Sequence, residues 1–109
     1  GIYWGYLEAR AHVLNVPFLT PEDLVLVRLA CLARVEDRNA YRQLQEAWHT
    51  LGANERTTLL QHFLADGIED MAFVFEFLPD CVANAVRNPA IGLTCLLELL
   101  VCLLHMLQP

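Results

Sequence analysis

The sequence predicts an all-α protein: a compact bundle of about six or seven short helices with a very apolar C-terminal helix. Three observations lead there. Apolar residues recur at three- and four-residue spacing along most of the 109 residues, and the breaks between those runs carry helix-start and helix-stop residues. Only one segment alternates as a strand would, and a lone strand has no pairing partner.

Residues 2 to about 14 place Trp4, Leu7, Ala11 and Leu14 on one helical face, with Gly5 a weak spot and Pro17 ending the segment. Thr20-Pro21-Glu22-Asp23 is a start signal: a hydroxyl to cap, a proline suited to the first helical position, and two carboxylates at the positive end of the dipole. The helix it opens runs to about Val35. It is polar only at Arg28 and Arg34 along its body, which marks it as central.

Asp37 restarts an amphipathic helix with Tyr41, Leu44, Trp48 and Leu51 on its apolar face, closed by Gly52. Asn54 is the expected cap of the next helix, whose buried face would be Leu59, Leu60, Phe63 and Leu64, with Gly67 as a left-handed stop. The short connections predict that these three helices are consecutive antiparallel neighbours. Residues 68–78, IEDMAFVFEFL, fit helical spacing through Ile68, Met71, Ala72 and Phe75, and are read as helix although Phe73, Phe75 and Phe77 alternate. Pro79 breaks the chain, residues 80–87 form a short helix, and Asn88-Pro89 launches the terminal one.

Composition narrows the function. The length suits one domain, residues 1–109, able to bury a core without metal or disulfide help. An apolar share of 56% against a charged share of 18% implies surface buried either internally or against a partner. A net charge of −6, with the seven arginines scattered, provides no basic stripe and disfavours nucleic acid. The sequence contains neither lysine nor serine, which excludes serine nucleophiles, lysine Schiff bases and Walker-type phosphate loops. Four cysteines without paired spacing, in a chain whose first residues show no signal-peptide pattern, point to a reducing cytoplasmic or other intracellular setting.

The chemically versatile residues of the terminal helix are Cys95, Glu98, Cys102 and His105, which fall on one stripe. Cysteine, glutamate and histidine are zinc ligands, yet Cys95 and His105 lie roughly 15 Å apart along the axis, too far to share one ion. The stripe is therefore the candidate of a secondary reading, a metal or small-molecule site. No metal and no cofactor is expected.

Three further candidates are weaker. Glu46 and His49 have the spacing of a di-iron element, but it occurs once. His62, Asp66, Glu69 and Asp70 cluster around Gly67 and are accounted for by local pairing and helix-dipole preference. Cys31 and Cys81 would need a converging histidine to act as nucleophiles, and nothing in the sequence supplies one.

A membrane reading rests on residues 90–107, about 27 Å as a helix, which reaches the lower limit of a bilayer span. Against it stand the absence of flanking lysine and of an aromatic belt, and Glu98 near the midpoint. The leading expectation is a non-enzymatic interaction module that docks a protein partner, by default a second copy, through an apolar face. Its contacts would be Leu96, Leu97, Leu100, Leu103 and Leu104 of the terminal helix with Phe73 and Phe77, while Arg28, Arg34 and Glu98 set register.

Overall fold

A computed structural model describes residues 2–17, 20–64, 76 and 78–107, the side chains of 2–4 and 107 excepted. Among the described residues there are six helices and no strand: α1 (Ile2–Val13), α2 (Pro21–Leu32), α3 (Arg38–Thr50), α4 (Ala53–Leu64), α5 (Pro79–Arg87) and α6 (Pro89–Leu107). The all-α prediction is borne out, apolar C-terminal helix included. Of the segment expected as helix over 68–78, Glu76 is helical and Leu78 precedes α5; Phe73, Phe77 and the Gly67 turn lie outside the described residues.

The start signals act as read. Thr20 Oγ1 accepts from the Asp23 backbone N–H at 3.1 Å while Asp23 Oδ2 accepts from the Thr20 N–H at 3.0 Å, a reciprocal capping box with Pro21 at the first helical position. Asp37 Oδ1 caps α3 by accepting from the Ala40 N–H at 2.8 Å. At α4 the expectation fails by two residues. The helix opens at Ala53, so Asn54 lies inside it, and the Gly52 carbonyl accepts the first helical bond, from the Arg56 N–H at 3.1 Å.

Helix ends were harder to read, because two of them use left-handed residues that are not glycine. α2 stops at Leu32 instead of running to Val35: Arg34 takes φ 59° and the Val35 N–H reaches back to the Ala30 carbonyl at 2.8 Å. α1 closes in the same way, with Asn15 at φ 55° and the Val16 N–H on the Ala11 carbonyl at 2.9 Å. Both are six-to-one C-terminal closures in which the backbone satisfies its own orphan carbonyls.

Packing order departs from chain order. α6 lies against α5, α3 and α4, and α2 lies mainly against α4 and also against α1 and α3. The expected run of antiparallel neighbours through α2, α3 and α4 therefore does not hold. α3 buries Tyr41, Leu44, Ala47 and Trp48, and the neighbour to which it gives that face is chiefly α6. On α4 the buried positions are Thr58, Leu59 and Phe63; Leu60 is half-buried and Leu64 exposed, a correction to the face expected there. Thr58 is accommodated because its hydroxyl donates to the Asn54 carbonyl one turn back.

One hydrophobic cluster joins all six helices, from Leu7 and Ala11 on α1 to Leu93, Leu96, Leu97, Leu100, Val101 and Leu104 on α6. Each fully buried leucine contributes about 1.5–3 kcal/mol. Two polar ties supplement it. The Arg28 guanidinium on α2 donates to the Phe63 carbonyl near the end of α4, and Arg56 donates to the Leu51 carbonyl at 3.0 Å just past α3.

Where α5 and α6 meet, their backbones nearly touch. A Cβ on Gly92 would lie 2.5 Å from the Ala85 Cα and 2.9 Å from both the Ala85 N and the Asn84 O, atoms that cannot rotate away. Gly92→Ala is expected to destabilise the fold by about 1–3 kcal/mol, lowering Tm by several degrees in a thermal melt. Gly5→Ala on α1 is the control: a Cβ there meets nothing within 4 Å, and the loss of backbone entropy in the unfolded chain should raise stability by about 0.5–1 kcal/mol.

The core also contains polar atoms without partners. Tyr41, 2% exposed, and Trp48, fully buried, leave the phenol oxygen and indole nitrogen without a hydrogen-bond partner. Burial, reinforced by the Asp23 carboxylate, pushes the Tyr41 phenol well above its ordinary value of 10.0. Because the hydroxyl makes no hydrogen bond, Tyr41→Phe is expected to leave stability unchanged or raise it by about 1 kcal/mol at pH 7. The raised pKa makes the neutral phenol's contribution full below about pH 10 and lost as pH rises beyond it, so the variant's advantage should widen at pH 11. Urea denaturation at the two pH values checks this, and a variant weaker than the parent at pH 7 would refute it.

Candidate functional site

α6 is 19 residues long and begins on the Asn88-Pro89 device, with the Asn88 carbonyl accepting from the Gly92 N–H at 2.8 Å. The short α5 beside it fixes which way it faces. The Gly92 contact and the packing on α3 and α4 turn Leu93, Leu96, Leu97, Leu100, Val101 and Leu104 into the core. The expected docking leucines are thereby relocated. Leu96, Leu97, Leu100 and Leu104 are at most 2% exposed and already occupied by the chain's own packing, and Leu103 is half-buried against the same cluster. A leucine that fills the intramolecular core has no surface left for a second chain.

The opposite side of α6 is open. Cys95, Glu98, Cys102 and His105 are all exposed, as are Ile91 at 63% and Met106 at 79%. Ile91, Cys95, Glu98, Cys102 and His105 are spaced four, three, four and three, the interval of a heptad seam, so they line one nearly straight stripe. Thr94, Leu99 and Leu103 border it, half-buried. Ile91 and Met106 are the members that sequence reasoning missed. Ile91 opens the stripe and Met106 follows its last member, and neither bears a titratable or metal-binding group that would mark it.

Beside the stripe runs a groove of about 500 Å³ between α5 and α6. Cys81, Asn84 and Arg87 line it from α5, and Ile91, Cys95 and Leu99 from α6. Arg87 is held at its edge by its own helix, donating from Nε to the Ala83 carbonyl at 3.4 Å and from one terminal nitrogen to the Asn84 Oδ1 at 3.3 Å. Groove and stripe are continuous through Ile91, Cys95 and Leu99, and together they form a surface apolar at Ile91 and Leu99, with exposed Glu98 and His105 along the stripe and the Arg87 cation at one end.

The other candidates disperse. Among the described residues no three or more of His, Cys, Asp and Glu come together as metal ligands. Glu46 and His49 are exposed on α3, and of the cluster around Gly67 only His62 is among the described residues, half-buried on α4. A larger cavity of about 830 Å³ lies between the end of α2 and α5, lined by Cys31 together with Arg34, Glu36, Glu76 and Arg87. Burial pushes the Cys31 thiol up, against a smaller opposing pull from Arg10 and the Tyr6 hydroxyl, so it is held as a thiol rather than as a nucleophilic thiolate. The register role expected of three charges is redistributed: Arg28 ties α2 to the Phe63 carbonyl of α4, Arg34 is exposed at the end of α2, and Glu98 is exposed on α6.

α6 is also long and apolar enough to cross a membrane, with a mean hydropathy of 1.9 over Pro89–Met106; a third of that stretch is buried in the bundle. The helix is thus intermediate between a core helix and one whose outer face lacks a partner. Comparison with curated proteins and with solved structures finds no match to this chain. One family model covers residues 5–108, almost the entire sequence, and by that match the chain belongs to the family of unknown function DUF6829.

Proposed function

We propose that this protein is a non-enzymatic helical interaction module that docks a protein partner, with a second copy as the first candidate, on the outer face of α6 and the adjoining groove. One observation carries the reading: a helix of mean hydropathy 1.9 has only a third of its residues inside the bundle and leaves Ile91 and Met106 largely exposed. Apolar surface of that kind, bordered by polar groups, lowers its free energy by meeting another apolar surface. The contact residues in this reading are Ile91, Cys95, Leu99, Cys102 and Met106 in place of the core leucines. A setting inside the cell, where the exposed thiols stay reduced, suits the same reading.

The test separates the outer face from the core. Replacing both Ile91 and Met106 by glutamate is expected to abolish self-association in sedimentation velocity at micromolar concentration and to shift Tm by no more than about 2 °C, as for a surface change. Leu97→Ala, by contrast, should cost about 2–5 kcal/mol of stability through the cavity it leaves. A parent chain that stays monomeric at every concentration and instead floats with phosphatidylcholine vesicles would overturn the proposal in favour of membrane association.

A further inference from the structure

We propose that the occupant of the α6 face is a second copy of the chain lying antiparallel, with the two-fold axis passing near the bond between Glu98 and Leu99. The inference rests on the reading of this face as a docking surface and adds its partner, direction and register. Two exposed pairs equidistant from that bond are matched in chemistry. Ile91 pairs with Met106, the two exposed large apolar residues among the described side chains of α6, and Cys95 pairs with Cys102, both exposed; half-buried Thr94 faces half-buried Leu103, while exposed Glu98 faces half-buried Leu99 and exposed His105 faces half-buried Gly92. A surface used twice across a two-fold axis must be complementary to itself, and the Ile91–Met106 and Cys95–Cys102 pairs meet that condition when one helix is reversed.

Charge selects the direction independently of this symmetry. Arg87 lies on the groove beside Ile91, near the start of α6. In the antiparallel arrangement the last described turn of the partner's α6, towards the negative end of its dipole, lies next to Arg87, and the contact occurs twice. In a parallel arrangement the same cation would face the positive, N-terminal end of the partner's helix, so the parallel pair is disfavoured at both sites. Glu98 opposes the assembly, since each copy brings one carboxylate to the axis.

Sedimentation equilibrium and thiol cross-linking test the proposal together. Two chains are made in which Cys31 and Cys81 are alanine and either Cys95 or Cys102 is the sole cysteine, each checked for native circular dichroism and melting. With a short bismaleimide, the mixture of the two should cross-link several-fold more than either alone, because like cysteines lie roughly 10 Å apart along the axis in the antiparallel pair. In the otherwise native chain, Arg87→Glu should weaken dimerisation by about tenfold through its two contacts, and Glu98→Gln should tighten it. A dimer in which each single-cysteine chain links to itself as well as the mixture does, or which Arg87→Glu strengthens, overturns the antiparallel register while leaving the docking face in place. A monomer at all concentrations overturns the second copy as the occupant of this face.

Discussion

Burial of one side of α6 is the constraint on which the rest of the structure depends. Leucine and valine project from that side into the cluster, and α3, α4 and α5 are held together through it. α2 anchors the remainder, packing α1 and α4 into the same cluster and linking to α4 through Arg28. Because both organising helices are apolar over most of their length, the fold relies on non-directional burial, and the few polar links sit at helix ends. α3, the most strongly amphipathic of the long helices, contributes buried polar atoms without a hydrogen-bond partner at Tyr41 and Trp48.

Three helix starts were legible because they are chemical, while that of α4 was misplaced by two residues. Thr20, Asp37 and Pro89 satisfy or dispense with orphan N–H groups by means any sequence displays, and the structure uses each as expected. Helix ends were legible only where glycine or proline wrote them. Asn15 and Arg34 adopt the left-handed conformation without that signature, since the six-to-one hydrogen bond compensates its cost. Packing partners were the least legible, because chain proximity suggests hairpins while α3 buries its apolar face mainly on a helix far along the chain.

The same distinction runs through the candidate site. Periodicity placed Cys95, Glu98, Cys102 and His105 together on one face of α6, and they are together. What periodicity cannot say is which face of a nearly all-apolar helix turns inward, since leucine occurs almost all the way round it. That choice was made by Gly92, whose missing side chain admits α5, and with it the leucines became core while the stripe and Ile91 became surface.

The close approach of Gly92 to Ala85 has a dynamic consequence. At that contact no flexible side chain lies between the helices to deform, so α5 and α6 are held there as a stiff plank at one edge of the groove. A ligand settling on that plank need not order it, and the conformational entropy that usually opposes association has already been lost during folding. Affinity on this face would then be governed by the match of shapes rather than by adaptation, with tight selectivity and little tolerance for mismatched partners.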